Sequence, residues 1–377
     1  METDLATTPI GAWHATHGGR MVPFAGWSMP VQYGSIVAEH RATREAVGLF
    51  DISHMGRLSI SGPGACDLLE RILTRRVDDM RPGQIRYSLI CNEAGGILDD
   101  VLVYRQIDRD GPPYQLVVNA GNRTKIVAWF ETQIGSRTAG GEIAKQVSVV
   151  DQTKETAMIA IQGPRALESL AGLSDLPLEA MPYYEGQTGQ VSGVPAGISR
   201  TGYTGEDGWE LIVAGDEALP VWEAVHAEVT RVGGLPAGLG CRDTLRLEAA
   251  MPLYGHELDE SIDPYQAGLG FAVNLEGRTF MGHEALARIQ DRPGRSRRVG
   301  LALASRRVPR QGYAIYQEKK GVGQATSGTF SPTLNRPIAM AYVDPDVATV
   351  GTPLSVDIRG HQEAAEVVPL PFYRRPR

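Results

Sequence analysis

Residues 199–210 combine glycines, hydroxyl groups, an aromatic ring and carboxylates within one short segment. Tyr203 offers a flat ring with a hydroxyl at its tip, and Glu206, Asp207 and Glu210 offer carboxylates. Glycines let the backbone approach a ligand closely. Apolar residues alternate with Glu210, which predicts a strand that holds this carboxylate on the face opposite them. The segment suits a flat heterocycle rich in N–H donors. A glycine-rich hairpin with solvated acids is the competing interpretation.

Two adjacent acids, Asp99 and Asp100, lie in the apolar run 97–104. Neighbouring residues of a strand face opposite sides of the sheet, so only one of the two can join the apolar face. A carboxylate among apolar side chains is costly unless it has a partner or a ligand. The pair is therefore a candidate for catalysis, although two hairpin-end acids that cap local N–H groups would give the same pattern.

Arg242 and Asp243 precede a strongly helical run, residues 244–250. Asp243 is predicted to be the N-cap of that helix. Arg242, just outside the helix, can present a bidentate fork to a carboxylate. A structural Arg–Asp ion pair remains an open alternative.

Several kinds of chemistry have no support in the sequence. The eight histidines form no His-Glu-x-x-His group and the three cysteines form no Cys-x-x-Cys, so no metal site is expected. There is no Gly-x-Ser-x-Gly elbow and no glycine-rich phosphate loop of the usual spacings. Acids, arginines, tyrosines and the thioether of Met55 instead suit the binding and orientation of a cofactor.

Charge and composition exclude further classes. The 37 basic and 44 acidic residues give a net charge of 37 − 44 = −7, without a long basic block, so we expect no nucleic-acid binding. The start of the chain lacks the features of a secretory or mitochondrial targeting segment, and no apolar run is long enough for a bilayer. We therefore expect a cytoplasmic protein that does not bind membranes.

The pattern of elements predicts an α+β fold. Residues 33–47, 63–73, 123–133 and 164–173 have helical spacing, and runs of strand character, among them residues 191–199, lie between and after them. Two such mixed units make up residues 1–290. A polar, breaker-rich linker at 291–298 then leads into short β-type runs, so residues 291–377 are predicted to form a small β-barrel or sandwich.

These segments together resemble the T-protein family of the glycine cleavage system, folate-dependent aminomethyltransferases. The matching blocks extend over almost the whole chain. They are residues 21–33, 50–56, 92–100, 117–120, 161–164, 199–210, 238–248, 253–257 and 326–334. Residues 74–77 depart from the family pattern, with Arg75 and Arg76 in place of Asn and Asp, and we expect this change to alter a surface rather than the pocket.

The resemblance implies a three-domain ring, with two mixed α/β units and a C-terminal barrel around a central folate channel. It implies that Asp100 is the catalytic acid, that Glu210 reads the pterin edge and that Arg242 lies near it. Further positions match the lining of the folate pocket. They are Met55, Tyr87, Asn119, Tyr184 and Tyr203. A pterin is flat and presents an N–H and an NH₂ side by side, so one carboxylate can accept both hydrogens.

The resemblance also implies the reaction and its partners. The aminomethyl group carried on the lipoyl arm of the H-protein loses ammonia, and its methylene passes to tetrahydrofolate, the co-substrate, giving 5,10-methylenetetrahydrofolate. The P- and L-proteins belong to the same system. Because this chain is acidic, an acidic carrier would have to dock on a local basic cluster. The candidate arginines are Arg374, Arg375 and Arg377; Arg295, Arg297 and Arg298; and Arg71, Arg75 and Arg76.

Two other functions stay open at this point. A related tetrahydrofolate-dependent demethylase would keep the fold and the folate but take its one-carbon unit from a small methylated compound. A folate-binding regulatory or assembly protein would bind folate without releasing ammonia. The acid at Asp100 argues against the second, because a protein that only binds folate does not need an acid at the reactive centre.

Overall fold

The computed structural model describes residues 5–107, 113–135 and 147–376. The helices of this part of the chain are α1 Gly11–Thr16, α2 Ile36–Glu45, α3 Ala65–Ile72, α4 Arg123–Gly135, α5 Ala166–Leu170, α6 Ala218–Arg231, α7 Leu239–Glu248 and α8 His283–Ile289. The strands are β1 Ala6–Thr7, β2 Met21–Phe24, β3 Trp27–Pro30, β4 Gly48–Asp51, β5 Gly56–Ser61, β6 Ile85–Cys91, β7 Ile97–Arg105, β8 Tyr114–Val118, β9 Ser148–Asp151, β10 Thr156–Gln162, β11 Gly186–Val191, β12 Val194–Ser199, β13 Gly208–Ala214, β14 Leu235–Pro236, β15 Arg297–Leu303, β16 Ala314–Gln317, β17 Lys320–Ser331, β18 Arg336–Val343, β19 Pro353–Ile358 and β20 His361–Val368.

Two large sheets carry the candidate site. One has five strands in the order β6-β7-β8-β5-β9, and the other has six in the order β11-β12-β13-β10-β4-β14. Each sheet packs helices against one face: α3 and α4 contribute to the core of the first, and α5 and α6 to that of the second. Helices on one face of a mostly antiparallel sheet define the α+β class that the sequence predicts, and this prediction is confirmed.

The two sheets also pack against each other. Phe50, Ile52 and Met158 of the second unit form one apolar cluster with Ile85 and Val117 of the first. This cluster, to which Cys241 and Leu245 of α7 also belong, lies on the sheet faces that α3 to α6 leave uncovered. It therefore brings the inward-facing residues of β7 and of β13 to the same interface, where polar side chains need partners or a ligand.

The C-terminal unit is a closed barrel of six strands in the order β15-β18-β17-β16-β19-β20. The sequence predicts the barrel from four apolar runs, which correspond to β15, β16, β18 and β19. It does not predict the other two strands. The division at residue 291 stays a prediction, and the first barrel strand begins at Arg297.

A buried carboxylate joins the barrel to two helices, α2 and α7. Glu248, at the end of α7, accepts hydrogen bonds from Arg44 Nη2 at 3.0 Å and from Thr333 Oγ1 at 2.8 Å, and also from Ser331. His40 Nε2 lies 3.2 Å from the same carboxylate, whose side chain is fully buried. Although burial opposes it, these hydrogen bonds and charges lower the pKa of Glu248 to about 2. The group therefore stays ionised and connects α2, α7 and the barrel.

Two local predictions are wrong. Asp243 is not an N-cap: α7 begins at Leu239 behind the cap residue Gly238, so Asp243 and Arg242 both lie inside the helix. The run 191–199, predicted as one strand, contains a hairpin turn between β11 and β12. Ser192, at φ 52°, and a glycine turn the chain there. In the described part of the chain no helix is long and apolar enough to cross a membrane.

Candidate functional site between the two sheets

The candidate catalytic acid is held by two side chains, Tyr87 of β6 and Asn119 directly after β8. Asn119 Nδ2 donates to Asp100 Oδ1 at 2.7 Å, and the Tyr87 hydroxyl donates to Asp100 Oδ2 at 3.1 Å. Burial raises the pKa of Asp100, while these two hydrogen bonds lower it. Both carboxylate oxygens thus have fixed donors, and the group is oriented before any ligand binds.

Asp99 faces the opposite side of β7, as strand alternation predicts. It is fully buried and accepts hydrogen bonds from Asn119 Nδ2 and from Asn122 Nδ2, both at 2.7 Å. Burial raises its pKa, and the neighbouring Asp100 raises it further. The Asn119 amide therefore contacts both acids. Asp99 orients this amide and thereby the Asp100 carboxylate, which makes it a positioning residue that the sequence reasoning did not assign.

Glu210 lies on β13, opposite Ala160 of β10 and Ser199 of β12. Its side chain is buried, and Oε2 accepts a hydrogen bond of 2.5 Å from Thr201 Oγ1. Burial raises the pKa of Glu210, against the lowering effects of this hydrogen bond and of Arg242. A carboxylate on the interface side of the sheet, with one oxygen fixed by a hydroxyl, suits a ligand edge that carries N–H donors.

Arg242 and Tyr203 stack beside this carboxylate. The Arg242 guanidinium carbon lies 4.7 Å from the centre of the Tyr203 ring, and the Tyr203 hydroxyl donates to the carbonyl of Pro252. Burial lowers the pKa of Arg242, while Glu210 raises it. Arg242 lies inside α7 rather than before it, so the rigid helix fixes its position.

Met55 and Tyr184 complete the predicted set. Both are half-buried and pack against the apolar cluster between the two sheets. Tyr184 has a positive φ of 63°, and its carbonyl accepts a hydrogen bond from Ile85 N at 2.8 Å, which ties the edge of one sheet to the other. Burial raises the pKa of Tyr184 most, followed by Tyr183 and then by the charge of Glu210. The Tyr184 ring therefore lies within electrostatic reach of the Glu210 carboxylate.

The structure brings the predicted residues into one chain of neighbours. Burial is the largest cause of the raised pKa values of Tyr203 and Tyr87. The charge of Asp100 also raises the pKa of Tyr203, and Tyr203 in turn raises the pKa of Tyr87. Arg242 then connects Tyr203 to Glu210. The Asp100 group and the Glu210 group therefore face one interface, from different sheets.

The two other acids of the segment 199–210 do not join this site. Arg44 Nη1 pairs with Glu206 at 2.7 Å, and Arg200 Nη2 pairs with Asp207 at 2.5 Å. The first ion pair ties the segment to α2, and the second closes the segment on itself, so both have a structural role.

The sequence reasoning also missed His54 and Phe271. His54 is buried, and its Nδ1 has no hydrogen-bond partner among the described residues. Burial, the largest cause, and the charge of Arg242 lower its pKa to about 3. Phe271 is 64% exposed and stacks on Tyr87, with the ring centres 6.1 Å apart. The sequence around Phe271 contains no motif that indicates a site, whereas His54 lies directly before the predicted site residue Met55. No cluster of potential metal ligands occurs in the described ranges.

Comparisons with known proteins identify the family. The family model described as the GCVT N-terminal domain matches residues 10–277, and that of the glycine cleavage T-protein C-terminal barrel domain matches residues 296–374. The chain belongs to the glycine cleavage T-protein family. The family resemblance predicted from the sequence is thereby confirmed.

Similarity to members of this family extends over the full length. The aminomethyltransferase of Geobacillus kaustophilus is 44% identical, with 98% of this chain and 99% of the relative covered. That of Symbiobacterium thermophilum is 45% identical, with 100% and 99% covered. The crystal structure of the glycine cleavage system aminomethyltransferase T from Bartonella henselae has a TM-score of 0.89 and 32% identity, with 99% of both chains covered. The chain is thus an enzyme, an aminomethyltransferase of the glycine cleavage system.

Proposed function

We propose that this aminomethyltransferase binds tetrahydrofolate as its co-substrate in a channel between the two sheets. The family uses tetrahydrofolate. When bound, tetrahydrofolate supplies the nucleophilic nitrogen N5, which takes up the methylene after ammonia leaves and gives 5,10-methylenetetrahydrofolate. The observation that carries the proposal is a pair of carboxylates on one interface, the half-buried Asp100 and the buried Glu210. Each has fixed donors of its own, and stacking rings lie near them.

Glu210 fits the role of the group that reads the pterin edge. A ligand with an N–H and an NH₂ side by side can donate both hydrogens to one carboxylate, and such charge-assisted hydrogen bonds are the stronger ones. Arg242 favours the ionised form of this acid. The rings of Tyr203 and Tyr184, together with the thioether of Met55, supply apolar surface for a flat heterocycle.

Asp100 fits the role of the catalytic acid. A pterin whose N–H edge faces Glu210 turns its opposite edge, where N5 lies, away from that carboxylate. We propose that Asp100 contacts this edge, orients it and stabilises the positive charge that develops there. Its Tyr87 and Asn119 hydrogen bonds exist before the reaction, so little reorganisation is needed when the charge forms.

The aminomethyl donor is proposed to be a lipoylated carrier, the H-protein, in a system that also contains P- and L-proteins. Of the arginine clusters considered for docking, Arg295 pairs with Asp263, and Arg298 donates to the carbonyl of Ala250. Arg375 pairs with Asp207 at 3.4 Å. Arg377 lies outside the described residues. These pairings leave the docking cluster a proposal.

The test is ammonia release from an aminomethylated carrier, with and without reduced folate. We expect Asp100→Asn to lower folate-dependent turnover by about 10²–10³-fold, the usual cost of removing a group that stabilises charge in the transition state. Asp216→Asn, at an exposed position before α6, is the matched control and should keep full turnover. Near-normal turnover of a folded Asp100→Asn protein would refute the role of Asp100.

A further inference from the structure

A cavity of about 420 Å³ lies on the C-terminal barrel and shares no lining residue with the site between the two sheets. The connection between β15 and β16, residues 304–313, forms one wall, and the end of the β19–β20 hairpin forms the other. Because β16 pairs with β19, the two walls meet along one side of the barrel. A concave space of this size falls within the usual range of small-molecule sites.

Backbone contacts fix both walls of this barrel cavity. Ala325 of β17 accepts a hydrogen bond from Gly312 N at 2.9 Å, and its own N–H donates to the carbonyl of Tyr313 at 2.8 Å. In the other wall, Arg359 at φ 57° and Gly360 at φ 83° form the two-residue turn of the hairpin. The lining side chains are therefore attached to a fixed backbone.

Three arginines and a histidine line the cavity. They are Arg307, Arg310, Arg359 and His361. Arg307 Nη1 lies 3.1 Å from Glu363 and pairs with it. In the described part of the chain, the side chains of Arg310 and Arg359 have neither an ion pair nor a hydrogen bond. Two guanidinium groups therefore line one cavity without a protein partner.

The sign of this cavity is opposite to that of the chain as a whole. The protein has a net charge of −7, whereas the lining residues include three arginines and no acid. The neighbouring Glu363 already pairs with a cation, and Asp357 Oδ1 accepts a hydrogen bond of 2.7 Å from Gly360 N. Like charges held close together repel one another, so an anion that enters the cavity relieves this repulsion.

The cavity also has an apolar side. Val308 and Tyr313 are half-buried, Ile358 is buried, and Tyr313 packs against the barrel core. A guanidinium presents paired N–H donors that match the oxygens of a phosphate, and a tyrosine ring offers a stacking surface to a flat group. Charge and shape together favour a ligand that joins several negative charges to an aromatic part.

We propose that this cavity binds a nucleoside oligophosphate, with Arg310 and Arg359 holding the phosphates and Tyr313 contacting the base. The concave shape and the apolar side favour a small ligand over the flat acidic surface of another protein. The site shares no residue with the groups proposed to bind folate, so this inference does not depend on the proposed function.

The test is calorimetric titration of the full chain with ATP, with inorganic tripolyphosphate and with adenosine. We expect ATP to bind most tightly and adenosine most weakly. Arg310→Gln and Arg359→Gln should each lower the affinity for ATP by about tenfold, the usual effect of losing one charge-assisted hydrogen bond. Arg336→Gln removes an exposed cation from the start of β18, on the same barrel but outside the cavity, and should leave the affinity unchanged.

Two further measurements separate the parts of the ligand and guard against a folding artefact. Tyr313→Leu should lower the affinity for ATP but not for tripolyphosphate, because only ATP carries a base. Arg310 and Arg359 are exposed, so their variants should keep the melting temperature and the folate-dependent turnover of the unmodified protein.

The remaining outcomes overturn the inference. ATP that fails to bind the unmodified protein, or binds the two arginine variants equally well, does not occupy this cavity. If tripolyphosphate binds as tightly as ATP, the contact with the base is refuted and with it the nucleoside. If ATP does not bind but the arginine variants raise the KM for the aminomethylated carrier, the cavity belongs to an acidic surface of the carrier instead.

Discussion

Replacing Glu210 by Gln tests whether this carboxylate reads the pterin edge. The substitution keeps the volume but removes the charge and turns one oxygen into an NH₂ group. Thr201 fixes one oxygen of the native side chain at 2.5 Å. In either orientation of the amide, a ligand with two adjacent N–H donors then finds at most one neutral acceptor oxygen and leaves one donor unpaired.

The magnitude follows from that unpaired donor. A buried polar group without a partner costs about 1–3 kcal/mol. This corresponds to a loss of affinity of roughly 5- to 150-fold. The melting temperature without ligand should change little, since two effects oppose each other. The variant no longer buries an ionised carboxylate, whose pKa burial raises, but Arg242 loses the counter-charge that favours its charged form.

The assay is calorimetric titration of the protein with 5-methyltetrahydrofolate at neutral pH, together with a thermal melt. Glu223→Gln, at an exposed position of α6, makes the same chemical change away from the interface and should leave the affinity as it was. Equal folate affinity in the Glu210→Gln protein would refute the reasoning, because the carboxylate would then have to point away from the ligand.

Three further predictions concern stability. Arg246 Nη1 lies 2.8 Å from Glu257, and both side chains are buried, so Arg246→Met should lower the free energy of unfolding by about 3–5 kcal/mol in urea melts. A buried histidine lowers the pKa of Asp51 to about 2, although burial opposes this shift. Because the folded pKa lies below the ordinary value, the ionised carboxylate contributes about 2 kcal/mol of stability above pH 4. This contribution should be lost as the pH falls toward 2. Asp51→Asn should flatten this acid limb of the stability curve. Gly163 has φ +143°, and a Cβ there would lie 2.5 Å from a backbone carbonyl oxygen. Gly163→Ala should therefore lower the melting temperature. Gly172→Ala, where a Cβ would have no neighbouring atom within 4 Å, should leave it unchanged.

The sequence predicts best where one physical signal dominates. Hydrophobic periodicity predicts α3, whose buried residues recur at helical spacing, and strand alternation correctly separates the two aspartates of β7 onto opposite faces. The side chains of Asp99 and Asp100 indeed have different surroundings, one among amides at the start of α4 and the other toward the interface.

Prediction fails where a glycine has a tertiary role. The sequence predicts a loop at Gly238 and Gly240, followed by a helix capped at Asp243. In the structure, α7 begins between the two glycines. A Cβ on Gly238 would lie 2.4 Å from the backbone of Val31, and one on Gly240 would lie 2.5 Å from Ile36. These glycines allow α7 to approach neighbouring segments closely, a contact that one sequence does not reveal.

The same reason explains why β17, one of the two missed barrel strands, was not predicted. β17 contains three glycines, and a Cβ on Gly323 would lie 2.2 Å from a carbonyl oxygen of β18. The composition of β17 therefore reflects close strand approach, which hides the strand signal. In the candidate site, Phe271 could not be predicted, since its significance depends on which strands lie beside it.

The carboxylate of Glu248 has a consequence for how this molecule comes apart. Three hydrophobic cores of comparable size would each be able to melt at a temperature of their own. Releasing the barrel, however, would strip the Ser331 and Thr333 hydrogen bonds from a buried anion that also holds Arg44. The loss of one layer thus weakens the next, and heat should produce a single calorimetric transition. For the same reason, a gene fragment that ends before the barrel would encode an unstable remnant rather than a transferable module.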